Sequence, residues 1–108
     1  MSEVLFIALE AHSSERNHHR RYEVSAGPDL FGVRMATVRY GRVGSRLRLV
    51  AISAESESAM RQVVRDRLRR RMSAPRRIGC AYQLMEAVAA PGLDTAAWVP
   101  DGLVHEDP

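Results

Sequence analysis

The chain has 108 residues, enough for one domain and too few for two independent cores. Its 45% hydrophobic and 27% charged residues are ordinary globular composition, and a single cysteine, Cys80, excludes an internal disulfide and any cysteine-based zinc cluster. No run approaches the ~18 apolar residues of a membrane span, and no basic stretch precedes Val4–Ala8 as in a secretory signal. The expectation is a cytoplasmic protein with no membrane association.

Charge is the first informative feature. All 16 basic residues are arginine; lysine is absent. Residues 1–84 carry all 16 arginines against eight acids, a net +8, whereas residues 85–108 carry five acids and no arginine, a net −5. A basic body followed by an acidic segment points to a polyanionic partner. The competing reading is an arginine-biased, solvated surface.

In chain order, Val4–His12 is an apolar run of strand length, and Ser13–Asn17 is a polar loop. Arg20–Ala26 alternates, with Tyr22, Val24 and Ala26 on one face and Arg21, Glu23 and Ser25 on the other. Gly27-Pro28-Asp29 is a turn signal. Val33–Tyr40 reads as a third strand with ambiguous phase, because Arg34 and Arg39 fall on opposite faces. Gly41-Arg42-Val43-Gly44 reads as a turn whose glycines allow positive φ. Arg46–Ile52 is a fourth strand, with Leu47, Leu49 and Ala51 facing one side and Arg46 and Arg48 the other.

Ser53–Met72 is the one clear helix. Ser53 is placed to cap it, Glu55 and Glu57 suit its first turns, and Met60, Val63, Val64, Leu68 and Met72 form an apolar stripe. Arg69-Arg70-Arg71 favours its negative end, and Pro75 stops it. Ile78–Leu84 could return as a last strand. From Glu86 onward the composition reads as an acidic, Pro/Gly-containing tail, whose Trp98, Val99, Leu103 and Val104 either dock on the body or hang loose. The expected architecture is α+β: an antiparallel sheet of four to five strands with one amphipathic helix on one face, over residues 1–85, and a tail over 86–108.

The residues offer little for catalysis. No nucleophile elbow or Walker loop occurs, no carboxylate pair stands out, and Cys80 has no histidine near it in sequence. The chain therefore reads as a non-enzyme without a cofactor. His18 and His19 are adjacent, so on a strand they point to opposite faces and cannot both grip one ion; His12 could join one of them, but no metal site is expected. The strongest constellation is Arg39-Tyr40-Gly41-Arg42-Val43-Gly44-Ser45-Arg46-Leu47-Arg48. A tyrosine face can stack on a base or sugar, guanidinium groups bind phosphate bidentately, and glycine lets the backbone approach closely. Arg76 and Arg77 extend a second basic cluster after the helix.

The ordered set Asn17-His18-His19-Arg20-Arg21-Tyr22, then Asp29-Leu30-Phe31-Gly32, then Tyr40-Gly41-Arg42-Val43-Gly44 resembles the WGR domain family, found in poly(ADP-ribose) polymerases and in small stand-alone bacterial proteins. The resemblance covers roughly residues 4–85 and implies the same sheet-and-helix fold. It implies a DNA-binding module that recognises strand breaks, with Tyr40 stacking where the family has tryptophan, Arg42 contacting the backbone and Gly41 allowing the turn. Tyr40 in place of tryptophan offers less stacking surface, and Ser45-Arg46-Leu47-Arg48 departs from the usual continuation.

The resulting expectation is a non-enzymatic module, monomer or weak homodimer, that binds double-stranded DNA largely independently of sequence, at ends or nicks. Its candidate DNA-binding residues are Tyr40, Gly41, Arg42, Arg39, Arg46, Arg48, Arg76 and Arg77. The alternative is a protein-interaction or regulatory module using the sheet face. In that reading the acidic segment could compete with DNA, so that truncation after Met85 would raise DNA affinity.

Overall fold

The computed structural model describes residues 4–75 and 79–103. Alternating apolar and polar residues give five strands: β1 (Leu5–Ser13), β2 (His18–Pro28), β3 (Arg34–Arg42), β4 (Arg48–Ala54) and β5 (Gln83–Ala89). They form one sheet in the order β4-β3-β2-β1-β5, every neighbour antiparallel. Helix α1 (Glu57–Arg71) lies between β4 and β5, and a single turn, α2 (Thr95–Trp98), follows β5. This is the expected α+β arrangement.

The register decides which residues are inside. Ile7 pairs with Val24, Val24 with Val38 and Val38 with Val50, so one sheet face carries an unbroken apolar row. Helix α1 covers that face with Met60, Val64 and Leu68, a spacing of four that keeps all three on one side of the helix. Each such buried side chain contributes about 1.5–3 kcal/mol. Met72, the last member of the expected stripe, is 40% exposed.

Element boundaries differ from the sequence reading in ways the pairing explains. Strand β4 continues through Ser53 and Ala54, which pair with Met35 and Arg34, so Ser53 is a strand residue and the cap is Ser56. Its hydroxyl oxygen accepts a hydrogen bond from the Ala59 amide at 3.0 Å. Strand β3 runs through Gly41 and Arg42, which pair with Arg21 and Arg20; the chain reverses only at Val43–Leu47, where Gly44 has φ +86°. Strand β4 keeps Leu49 and Ala51 on the face opposite Arg48, and it is Val50, on the Arg48 side, that meets the core while Leu49 is 57% exposed, because the Val38–Val50 pairing fixes which parity faces α1.

The last strand lies at Gln83–Ala89 rather than Ile78–Leu84, with a register shift opposite Ala8 and Leu9. It therefore crosses residue 85. Beyond it, Trp98, Val99 and Leu103 are buried in the same core as α1, and the Arg65 guanidinium donates to the Ala96 carbonyl at 2.8 Å. Of the two outcomes left open for the segment, docking on the body is the one observed for these three residues; Val104 lies outside the described residues. Truncation after Met85 would remove core, so it cannot report on competition with DNA alone. Substituting Trp98→Ala is expected to cost about 3–5 kcal/mol of stability, read as a shift of the urea unfolding midpoint. A loss below about 1 kcal/mol would show that the 95–103 segment does not hold the core.

Candidate nucleic-acid interface

At one end of the α1-covered face the apolar row gives way to aromatic and basic residues. Tyr22, Tyr40 and Arg48 stand side by side on β2, β3 and β4. Tyr22 is buried at 3% exposure, whereas Tyr40 is 37% exposed and marks where the core opens to solvent. Two residues further on, at the next pair of this face, Arg20 and Arg42 lie opposite each other on β2 and β3. Like charges directly opposite in a sheet are destabilising, so this pairing favours an anion between or over the two guanidinium groups.

Helix α1 adds two more arginines from the same side. Arg67 and Arg71, four residues apart, line a cavity of about 230 Å³ together with Tyr22, Val38, Tyr40 and Val50. The Arg71 guanidinium carbon lies 4.6 Å above the centre of the Tyr22 ring, a cation–π arrangement, and Tyr82 meets the same ring edge-on at 6.4 Å. Tyr22 Oη and Arg71 Nε are both buried without a hydrogen-bond partner among the described residues.

Arg42 is held in place by the β1–β2 turn. Its Nη1 donates to the Asn17 carbonyl and its Nη2 to Asn17 Oδ1, both at 3.1 Å. Asn17 adopts a left-handed φ of +54°, which asparagine tolerates better than most residues. Gly41 has a φ of +156°, which L side chains rarely adopt, and a Cβ there would also press on Leu47 Cδ2 at 3.3 Å.

The structure thus gathers Tyr40, Arg42 and Arg48 on one face and separates other candidates from them. Arg39 and Gly41 have the opposite parity; Arg39 lies on the open face, 4.0 Å from Glu23. Arg46 is exposed in the β3–β4 turn. Arg76 and Arg77 lie outside the described residues. Sequence reading placed Arg71 in the basic cluster at the end of the helix and Arg20 in the family motif, but gave no binding role to Arg20 or Arg67, nor to Asn17 as an anchor for Arg42. The i, i+4 spacing of Arg67 and Arg71, in step with Met60, Val64 and Leu68, and the asparagine just before β2 were the available signals.

The open face is built differently. Arg21 donates to Glu10 Oε2 and to Glu23 Oε2, each at 2.6 Å, and His12 and His19 sit opposite each other beside this network. The His12 hydrogen bond and the Arg21 charge hold the Glu10 carboxyl below the usual glutamate range, against the effect of burial. Among the described residues no group of three or more His, Cys, Asp or Glu is placed to hold a metal ion, and no helix is long and apolar enough to cross a membrane.

Comparison with protein families matches the WGR domain over residues 6–72, from the start of β1 to the end of α1. Comparisons with curated proteins and with solved structures found no match.

Burial raises the Tyr22 hydroxyl above the ordinary tyrosine range, with the Arg71 charge pulling the other way. A raised folded pKa contributes stability that is complete below the unfolded value of about 10 and is lost as pH climbs through the folded value. Tyr22→Phe is therefore expected to be as stable as the wild type or more so at pH 7, and to lose less stability above about pH 10. Urea midpoints at both pH values check this. A neutral-pH loss above about 1 kcal/mol would mean that the hydroxyl makes a hydrogen bond.

Proposed function

The chain belongs to the WGR domain family, and on that premise we propose that it binds double-stranded DNA through the Tyr40 end of its α1-covered sheet face. The family assignment supports a nucleic-acid-binding module rather than a catalytic domain. The observation that carries the DNA reading is the convergence there of an exposed tyrosine with Arg20, Arg42, Arg48, Arg67 and Arg71, two of them forced into like-charge apposition across a strand pair.

In this reading guanidinium groups bind phosphate oxygens, which supplies affinity without sequence preference. Arg42 enters the complex already oriented by Asn17, so less side-chain freedom is lost on binding. The exposed Tyr40 ring stacks on a terminal base or sugar, which favours ends or nicks over intact duplex, where bases are already stacked.

A second reading, a protein-binding module, is favoured by a different surface. Leu30 and Phe31 are 82% and 89% exposed, and Asp29 Oδ1 accepts hydrogen bonds from the Phe31 and Val33 amides at 2.8 and 2.9 Å, fixing the loop that displays them.

Fluorescence anisotropy with labelled duplex DNA distinguishes the two. With four to six phosphates neutralised, affinity is expected to fall by about two to four orders of magnitude between about 50 and 250 mM salt. Arg42→Ala is expected to weaken binding by about ten- to a hundredfold, in line with about 1.5–3 kcal/mol for a charged hydrogen bond. Tyr40→Ala, with a stacking loss of about 1–3 kcal/mol, is expected to abolish any preference for blunt linear over closed circular competitor. Salt-independent affinity, or unchanged binding in Arg42→Ala, would overturn the DNA reading. Absence of binding at low salt would favour the protein partner.

A further inference from the structure

The pair His12 and His19 plays no part in the DNA reading, which concerns the opposite face. Both lie on the open side of the sheet, directly across from each other on β1 and β2, while His18 has the opposite parity. Their Nδ1 atoms are 2.9 Å apart, with ring centres at 5.1 Å and planes tilted by 52°, so the rings meet at their nitrogen edges rather than stacking.

The tautomer of His12 follows from its other nitrogen. Nε2 lies 2.8 Å from Glu10 Oε1; Glu10 is an anion at neutral pH and can only accept, so Nε2 carries the proton. That leaves a lone pair on His12 Nδ1, pointing at His19. Glu10 is itself fixed, because its second oxygen accepts from Arg21. A carboxylate accepting the outer N–H of an imidazole, and so orienting the inner nitrogen, is the usual outer-shell arrangement of metal-bound histidine.

We propose that His12 and His19 form a two-imidazole site for a divalent late transition metal, copper(II) or nickel(II). The 2.9 Å separation is that of a hydrogen bond between the two rings, and seating an ion requires both lone pairs to turn off the N–N line toward it; the separation itself then needs little change. Two nitrogen donors ~2.0 Å from a metal in adjacent square positions lie about 2.8 Å apart, whereas tetrahedral donors lie about 3.3 Å apart. The proton between the two Nδ1 atoms belongs to His19; on binding it moves through solvent to His19 Nε2, so that both imidazoles ligate in neutral form through Nδ1. The His12 side chain is 47% exposed, so water fills the remaining positions. Glu10 and Glu23 are matched by Arg21 and Arg39, so the attraction for the ion comes from the imidazole donors and the oriented Glu10 carboxylate rather than from net charge.

The test is titration of copper(II) into the full chain carrying Cys80→Ser, which removes the one thiol able to ligate or reduce the ion. Calorimetry and the visible d–d absorbance give the affinity and stoichiometry. One ion per chain is expected, weakened at least tenfold by His12→Ala or His19→Ala and about tenfold by Glu10→Gln, and unaffected by His18→Ala or His105→Ala. Nitrogen hyperfine structure in the electron paramagnetic resonance spectrum of the otherwise unsubstituted copper form is expected to show two nitrogen donors, a readout that does not depend on a variant folding. Non-saturating binding, affinity that survives His19→Ala, or a spectrum with fewer than two nitrogen donors would overturn the site.

Discussion

The register of the three central strands is the constraint on which everything else rests. With Ile7, Val24 and Val38 in one row, the row beyond must hold Tyr22 and Tyr40, and the one after that must oppose Arg20 to Arg42. A slip of one residue would turn each of these side chains to the other face. The apolar row and its cover of Met60, Val64 and Leu68 make such a slip costly. The burial that stabilises the fold therefore also sets the spacing of the basic residues, and the repulsion between Arg20 and Arg42 is tolerated because the core holds the strands together.

The two faces of the sheet manage charge in opposite ways. On the open face Arg21 is satisfied twice, by Glu10 and Glu23, and such part-exposed pairs contribute little net stability. On the α1-covered face Arg20, Arg42 and Arg71 have no carboxylate within ion-pair distance among the described residues. Arg42 is oriented by Asn17, a neutral partner, and Arg71 by the face of Tyr22. Neutral partners position a guanidinium without cancelling its charge, which suits a surface that meets an anion.

Much of this was legible in the sequence. The alternation of Tyr22, Val24 and Ala26 placed β2 correctly, the Met60–Leu68 stripe identified the helix, and the ordered set of Asn17–Tyr22, Asp29–Gly32 and Tyr40–Gly44 pointed to the family. What was not legible was phase and extent. Leu47, Leu49 and Ala51 look like the buried side of β4, yet Val50 is the residue facing the core, because an edge strand takes its parity from its neighbour rather than from its own hydrophobicity. Gly41 and Gly44 look like one turn, but cross-strand bonds keep Gly41 extended and only Gly44 turns the chain. Asn17 and Arg42 are 25 residues apart, and no local pattern reveals that one holds the other. Composition made residues 86–103 look irregular, whereas a lone tryptophan among alanines and prolines was the sign of a core anchor.

That tryptophan has an optical consequence. Trp98 is the only one in the chain and is 2% exposed, packed in the core beneath α1, while the motif position on the basic face holds Tyr40 instead. Intrinsic tryptophan emission in this protein therefore reports whether the segment after β5 is seated, and a ligand arriving at Tyr40 meets no indole to quench. Unfolding and binding are spectrally separated by the sequence itself: the indole signal follows the core, and tyrosine fluorescence or an external label must follow the interface.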